Sequence, residues 1–250
     1  MTLEFVHDTP AHLLELRRHA ETFLPLSGTK VDMRTAMPFL KTFQYAGEYI
    51  GAGQSDLIAK IRDNGMIDIG IEGWLLPADA LKLYEMAYFC LGDILELGAY
   101  RGLSATVMNR AINDAGREAK IISIDLDPIS IEASRNQLAF ASDGNRAMFF
   151  CDEGASALRN LASIKRKFGF AFIDHSHCYE HVYEAASVLH RVVELDGFAL
   201  FHDFNDPRNS MESEVDYGVY QGALDGLKAD RWEFWGIFGC TGLFRRIGPC

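Results

Sequence analysis

The stretch "LELGAYRGLSA", residues 95–105, joins a short apolar run to a small-residue turn and then to an amphipathic segment. It carries Glu96, Gly98, Gly102 and Ser104, an ExGxxxG spacing rather than the GxGxxG of most dinucleotide folds. The glycines permit a tight turn and close backbone approach to a ligand. The helix that follows aims its N-terminus at an anionic group. In a dinucleotide site that anion is a pyrophosphate; here a carboxylate serves as well. Glu96 at the strand end would repel phosphate, so it suits a ligand with a cationic portion. Alone, the glycine pair also fits a plain strand-to-helix turn.

From this turn the pattern repeats toward the C-terminus. The apolar runs "DILEL", "KIISID", "AMFFC", "FGFAFID" and "GFALFHD" alternate with "SATVMNRAINDAG", "PISIEASRNQLAFA", "ASALRNLASIKRK" and "YEHVYEAASVLHRVVELDG". Continuously apolar strands separated by helices predict a parallel sheet covered on both faces, a doubly wound α/β fold. The tail then breaks the alternation. A helical "VDYGVYQGALDGLKA" precedes "RWEFWGIF" and "TGLFRRIG", two strand-like runs around Gly239 and Cys240 that predict a closing hairpin. Upstream, "LPADALKLYEMAYFCLG" reads as a helix starting near Pro77. Residues 1–77 are expected to form a mainly helical accessory or cap segment, and residues 78–250 the α/β domain.

Composition narrows the function classes. At 250 residues, with 48% hydrophobic and 24% charged residues, the chain reads as soluble and globular. A net charge of -11 argues against nucleic acid or anionic membrane as a partner. The five cysteines are widely spaced and form no CxxC, so neither a zinc ribbon nor a disulfide framework is indicated. Reduced thiols, the lack of a secretory signal and the lack of an apolar run of about 20 residues give a cytoplasmic expectation. A homodimer is the default for a soluble enzyme.

Asp125 lies 23 residues beyond Gly102, at the end of "IISID". A carboxylate there accepts both ribose hydroxyls of an adenosine ligand. Downstream, "FIDHSHCYEH", residues 172–181, ends the fourth strand, and "FHDFND" ends the fifth. Asp174, His202 and Asp203 therefore share the carboxyl edge of the sheet, where ligands bind in open α/β folds.

These motifs together resemble the class I S-adenosylmethionine (SAM)-dependent methyltransferases, from residue 74 to about residue 247. "ELGAYRGLSA" is similar to the cofactor loop of catechol O-methyltransferases. "FIDHSHCYEHV" and "DGFALFHD" are similar to the small-molecule O-methyltransferases of natural-product and sugar pathways. The resemblance implies a Rossmann-like seven-stranded sheet, mostly parallel, with an antiparallel strand in the C-terminal hairpin. It also implies SAM as cosubstrate. Glu96 and Gly98 would contact its amino-acid end, Tyr100 and Ser104 its methionine part, and Gly102 the same turn. Asp125 would hold the ribose, with Leu126 on the adenine. The adenine edge falls to Asp152, or to Ala155 and Ser156 in the catechol-type alignment. SAM brings a sulfonium and an ammonium but no phosphate, which agrees with the acidic residues around the turn.

Two routes to activating an acceptor hydroxyl stay open. In metal-dependent relatives the positions matching Asp174 and Asp203 hold a divalent cation such as Mg2+. This sequence departs from those patterns, with Phe204 after the second Asp and Ser176 where an Asp often stands; Asn205 or Asp206 would have to compensate. Alternatively His177 removes the proton as a metal-free general base, with Asp174 and Asp203 beside it. His175 and His202 are further residues of the same opening. His190 reads as an ordinary helix-face residue, and no spacing ties His7, His12 or His19 to the site. The expected acceptor is a small hydroxylated molecule. Residues 205–218 are expected to cover it, and Phe39, Phe43, Tyr45 and Tyr49 offer walls or core. The rival readings are a non-catalytic SAM-binding protein and a zinc-dependent hydrolase using the 174–181 cluster, whose spacing does not match HxHxDH.

Overall fold

The computed structural model describes residues 56–139, 144–211, 213–214 and 216–248. Most of the expected accessory segment, including Phe39, Phe43, Tyr45, Tyr49, His7, His12 and His19, lies outside the described residues.

The apolar runs form one seven-stranded sheet in the order β3-β2-β1-β4-β5-β7-β6. Its strands are β1 (Ile94–Leu97), β2 (Ile121–Asp125), β3 (Ala147–Cys151), β4 (Phe168–Ile173), β5 (Val193–Phe201), β6 (Trp232–Phe238) and β7 (Thr241–Arg246). Strands β1 to β5 pair in parallel, whereas β7 runs antiparallel to both β5 and β6. β1 and β4 are buried at every residue, as their unbroken apolar sequences require. The chain winds outward from β1 to β3, then returns to place β4 on the other side of β1. That reversal opens a crevice at the carboxyl ends of β1 and β4.

Helices cover both faces. The first face carries α1 (Pro77–Phe89) and α2 (Leu103–Asp114), packed with Phe170, Phe172 and Trp235 of the sheet. The second carries α4 (Gly154–Ser163), α5 (Tyr179–Leu189) and α6 (Val219–Gly226). The remaining helix, α3 (Pro128–Ala139), packs through Ile131 and Leu138 on Phe149. Residues 56–76 join the first core through Leu57, Ile67, Ile71 and Leu75, with a 3-10 turn at Asp56–Ile58. Among the described residues no helix is long and apolar enough to cross a membrane.

Helix α1 is buried on nearly every side, polar residues included. Lys82 pairs with Glu85, and its ammonium lies 4.0 Å from the centre of the Phe238 ring. At the helix start, Asp79 accepts the Leu76 amide at 3.0 Å, capping the first turn. Its other oxygen accepts the amides of Cys240 (2.8 Å) and Thr241 (3.2 Å). One buried carboxylate thereby ties the start of α1 to the turn between β6 and β7.

Candidate active site

The 95–105 stretch folds as β1, a tight turn and the start of α2. Gly98 has φ 98°, and a Cβ there would lie 2.1 Å from the Asp174 carbonyl oxygen. Only glycine lets the turn rest against the end of β4. Gly102, at φ 83°, precedes the first residue of α2. Asp125 holds the turn from β2, one oxygen accepting the Ala99 and Tyr100 amides at 2.9 Å each. Its second oxygen accepts the Asp127 amide at 2.9 Å.

Glu96 is fully buried and accepts the hydroxyls of Ser104 and Ser123. Burial pushes its carboxyl up to about 7, against the pull of those two hydroxyls. Ser104 lines the central cavity with Gly98, Ala99 and Tyr100, so Glu96 sits behind that lining. The Tyr100 hydroxyl donates to Glu72 at 2.8 Å. Further along the edge, the Asp152 amide donates to the Asp125 carbonyl at 3.1 Å, placing the two acids side by side. Leu126 is 70% exposed beside them, an open apolar shelf. The amides of Ala155 and Ser156 are already taken by Glu153, which caps α4.

The cavity occupies about 600 Å³ and runs from the glycine turn to the ends of β4 and β5. Asp174, His177, His202 and Asp203 all line it. His177 Nε2 lies 3.0 Å from Asp203 Oδ2, and the imidazole stacks on Tyr217 with centroids 5.0 Å apart. The hydrogen bond with Asp203 raises the His177 pKa above the ordinary histidine value, partly opposed by burial. Burial works against a charged Asp203, yet the hydrogen bond from His177 and the nearby His202 ring hold its carboxyl well below the usual range. Arg208 adds a guanidinium 3.5 Å from Asp203 while pairing with Asp206 at 2.9 Å.

His202 is 5% exposed. Its Nδ1 lies 3.3 Å from both Asp174 and Asp203, and its Nε2 faces Asp79 at 3.8 Å and Cys240 Sγ at 3.4 Å. Burial disfavours its charge, but the surrounding carboxylates, Asp174 foremost, raise its pKa well above the ordinary value. Burial pushes the Cys240 thiol up to about 12, with His202 opposing.

The other histidines separate from this group. His175 packs against Gly154, and burial lowers its pKa to about 4. His181 pairs with Ser176 at 3.0 Å in the first turn of α5. His190 closes α5 and lies 2.9 Å from Arg231. Neither His175 nor His181 joins the metal-capable groups found among the described residues, Asp79–His202–Cys240 and Asp174–His177–Asp203. Sequence reasoning missed Asp79, Trp74, Arg208 and Cys240 of the cavity wall. Trp74, 56% exposed, pairs with Tyr100 at 5.2 Å.

The donor set around Asp174 and Asp203 is a poor match for Mg2+, which prefers oxygen ligands and retained water. One oxygen of Asp203 faces His177 and the other His202, with Arg208 nearby. A hydrated Mg2+ would have to displace these nitrogens, so no chemical step is assigned to it.

Residues 95–204 match the family model described as a methyltransferase domain. Among solved structures, cofactor-bound Rv0187 from MTB aligns with a TM-score of 0.53 at 16% identity, covering 68% of this chain and 78% of that one. The O-methyltransferase from Bacillus cereus in complex with SAH gives 0.52 at 12% identity, covering 67% and 78%. A protein labelled an rRNA-methylase from Clostridium thermocellum gives 0.51 at 12% identity, covering 66% and 96%. At such identities the likeness establishes the fold. None of the curated proteins compared matches the sequence. The sheet order is that of the methyltransferase fold shared by these structures, and residues 95–204 are the segment that matches a methyltransferase domain.

Proposed function

We propose that the chain transfers the methyl group of SAM to a hydroxyl oxygen of a small acceptor. The observation that carries this reading is the His177–Asp203 pair, at 3.0 Å, in the wall of the cavity that also contains the glycine turn. With Asp203 ionised, it accepts the proton on His177 Nε2, which leaves the lone pair of a neutral imidazole on Nδ1. That atom takes the hydroxyl proton as the acceptor oxygen bonds to the methyl carbon and the carbon–sulfur bond breaks. S-adenosylhomocysteine (SAH) leaves neutral at sulfur, and Asp203 stabilises the imidazolium that forms. Alignment of oxygen, methyl and sulfur supplies much of the acceleration.

SAM lies along the carboxyl edge in this reading. Asp125, Leu126 and Asp152 take the adenosine; Gly98, Tyr100, Gly102 and Ser104 shape the methionine end, with Glu96 fixing Ser104 from behind. On the acceptor side, Asn205 Oδ1 is buried without a hydrogen-bond partner, so it is available to a second hydroxyl. Trp74 and Tyr100 supply an apolar wall against which a ring can lie. The test is transfer of labelled methyl from SAM to a panel of phenols, catechols and sugars, with protein and RNA acceptors in parallel. Methylation of a small hydroxylated compound, lost in His177→Ala, is expected. Activity confined to the macromolecules would contradict the proposal.

A further inference from the structure

We propose that Asp79, His202 and Cys240 form a site for a zinc-class divalent ion in the wall of the acceptor cavity. The three residues come from the start of α1, the end of β5 and the turn between β6 and β7. Their ligand atoms make a compact triangle: Cys240 Sγ to Asp79 Oδ2 is 3.3 Å, Cys240 Sγ to His202 Nε2 is 3.4 Å, and His202 Nε2 to Asp79 Oδ2 is 3.8 Å. A tetrahedral ion with bonds of about 2.0–2.3 Å separates its ligands by about 3.3–3.6 Å, so the two edges to sulfur have the size of one face and the His202–Asp79 edge has to shorten by about 0.5 Å on binding.

Zinc-binding histidines commonly turn their second ring nitrogen to a carboxylate, which fixes the ring. His202 Nδ1 lies 3.3 Å from both Asp174 and Asp203. That nitrogen is buried and outside good hydrogen-bond geometry with either acid, so the two carboxylates bracket the ring rather than one claiming it. Asp79 is fixed too, by the amides of Leu76, Cys240 and Thr241. A thiolate and a carboxylate neutralise a doubly charged ion, leaving no net charge in this largely buried place. All three residues line the cavity, which gives an entry path and leaves the fourth position facing the acceptor space. That position takes an anionic oxygen or sulfur donor. The proposal deepens the methyltransferase reading by placing a soft Lewis acid where the acceptor enters.

The test strips the whole chain with a chelator and titrates it with Zn2+ and Co2+, with SAH affinity measured in parallel. One zinc per chain, a thiolate-to-cobalt charge-transfer band and the strong visible bands of a tetrahedral ion are expected. Azide should change those visible bands by entering the fourth position. Cys240→Ser should abolish the charge-transfer band and weaken zinc binding at least tenfold, whereas Cys151→Ser should leave both intact. On the unmutated chain, zinc should slow alkylation of Cys240 but not of Cys151. A cobalt spectrum without thiolate character would overturn the site, as would unchanged alkylation of Cys240. Zinc binding that survives Cys240→Ser but not His177→Ala would overturn it too, by placing the ion in the neighbouring group. Intact SAH binding with no metal would refute this site alone; lost SAH binding with metal retained would refute the methyltransferase reading alone.

Discussion

The two halves of the carboxyl edge are built differently. On the β1–β2 side, a single carboxylate holds the backbone of the turn at residues 98–102: Asp125 accepts the Ala99 and Tyr100 amides, and Gly98 rests against the Asp174 carbonyl. On the β4–β5 side, charged side chains meet: His177, His202 and Arg208 surround Asp203. The first half is the shape into which the proposed cofactor would settle. The second is a set of protons and charges that a reaction can rearrange. Gly98 joins them, because its close approach to Asp174 sets the distance between the halves.

Breaking that joint should have the largest effect. Gly98→Ala would force a Cβ against backbone at a positive φ, so SAH binding should vanish and stability should fall by about 2–3 kcal/mol in urea titrations. A variant with unchanged affinity would show that the two halves are not coupled there. Next, His177→Ala should slow methyl transfer about 10²–10⁴-fold while leaving SAH affinity within about twofold. An equal loss of affinity would move His177 to the cofactor half.

The pH profile sharpens the same contrast. His177 must be neutral to accept a proton, and its pKa is raised by Asp203. The rate should therefore climb through a limb centred above the ordinary histidine value, and Asp203→Asn should move that limb downward. A smaller effect belongs to the proposed cofactor half: Asp125→Asn should weaken SAH binding about tenfold, by loosening the turn and removing the proposed ribose contact.

A last prediction concerns stability alone and isolates Glu96. Its folded pKa of about 7 lies above the ordinary 4.5, so its protonated form is the stable one when buried. Stability is fullest below the ordinary value and is lost as pH rises through about 7, by roughly 2–3 kcal/mol between pH 5 and 8. Melting curves of Glu96→Gln should lack this dependence.

The same division explains what the sequence disclosed. Strands β1 to β5, the hairpin of β6 and β7 and the glycine turn were legible because each signal is local: an apolar run, a glycine spacing, a strand-ending acid. Asp174, His177 and Asp203 could be placed on one edge because strand ends converge there in a parallel sheet. Their pairing could not be read, since it depends on side-chain directions in two loops. Asp79 and Cys240 were invisible for a further reason. They stand 161 positions apart, and each carries an ordinary local signature: an acid in the first helical turn, and one cysteine in a hairpin. Trp74 likewise carries no local signal that would place it in the cavity wall, where the structure puts it.

Calorimetric titration of the chain with SAM and SAH tests the central claim most directly. One cofactor per chain should bind with measurable heat, without added metal, and Asp125→Asn should weaken the binding. Absence of binding by both compounds, in protein shown to be folded, would contradict the account.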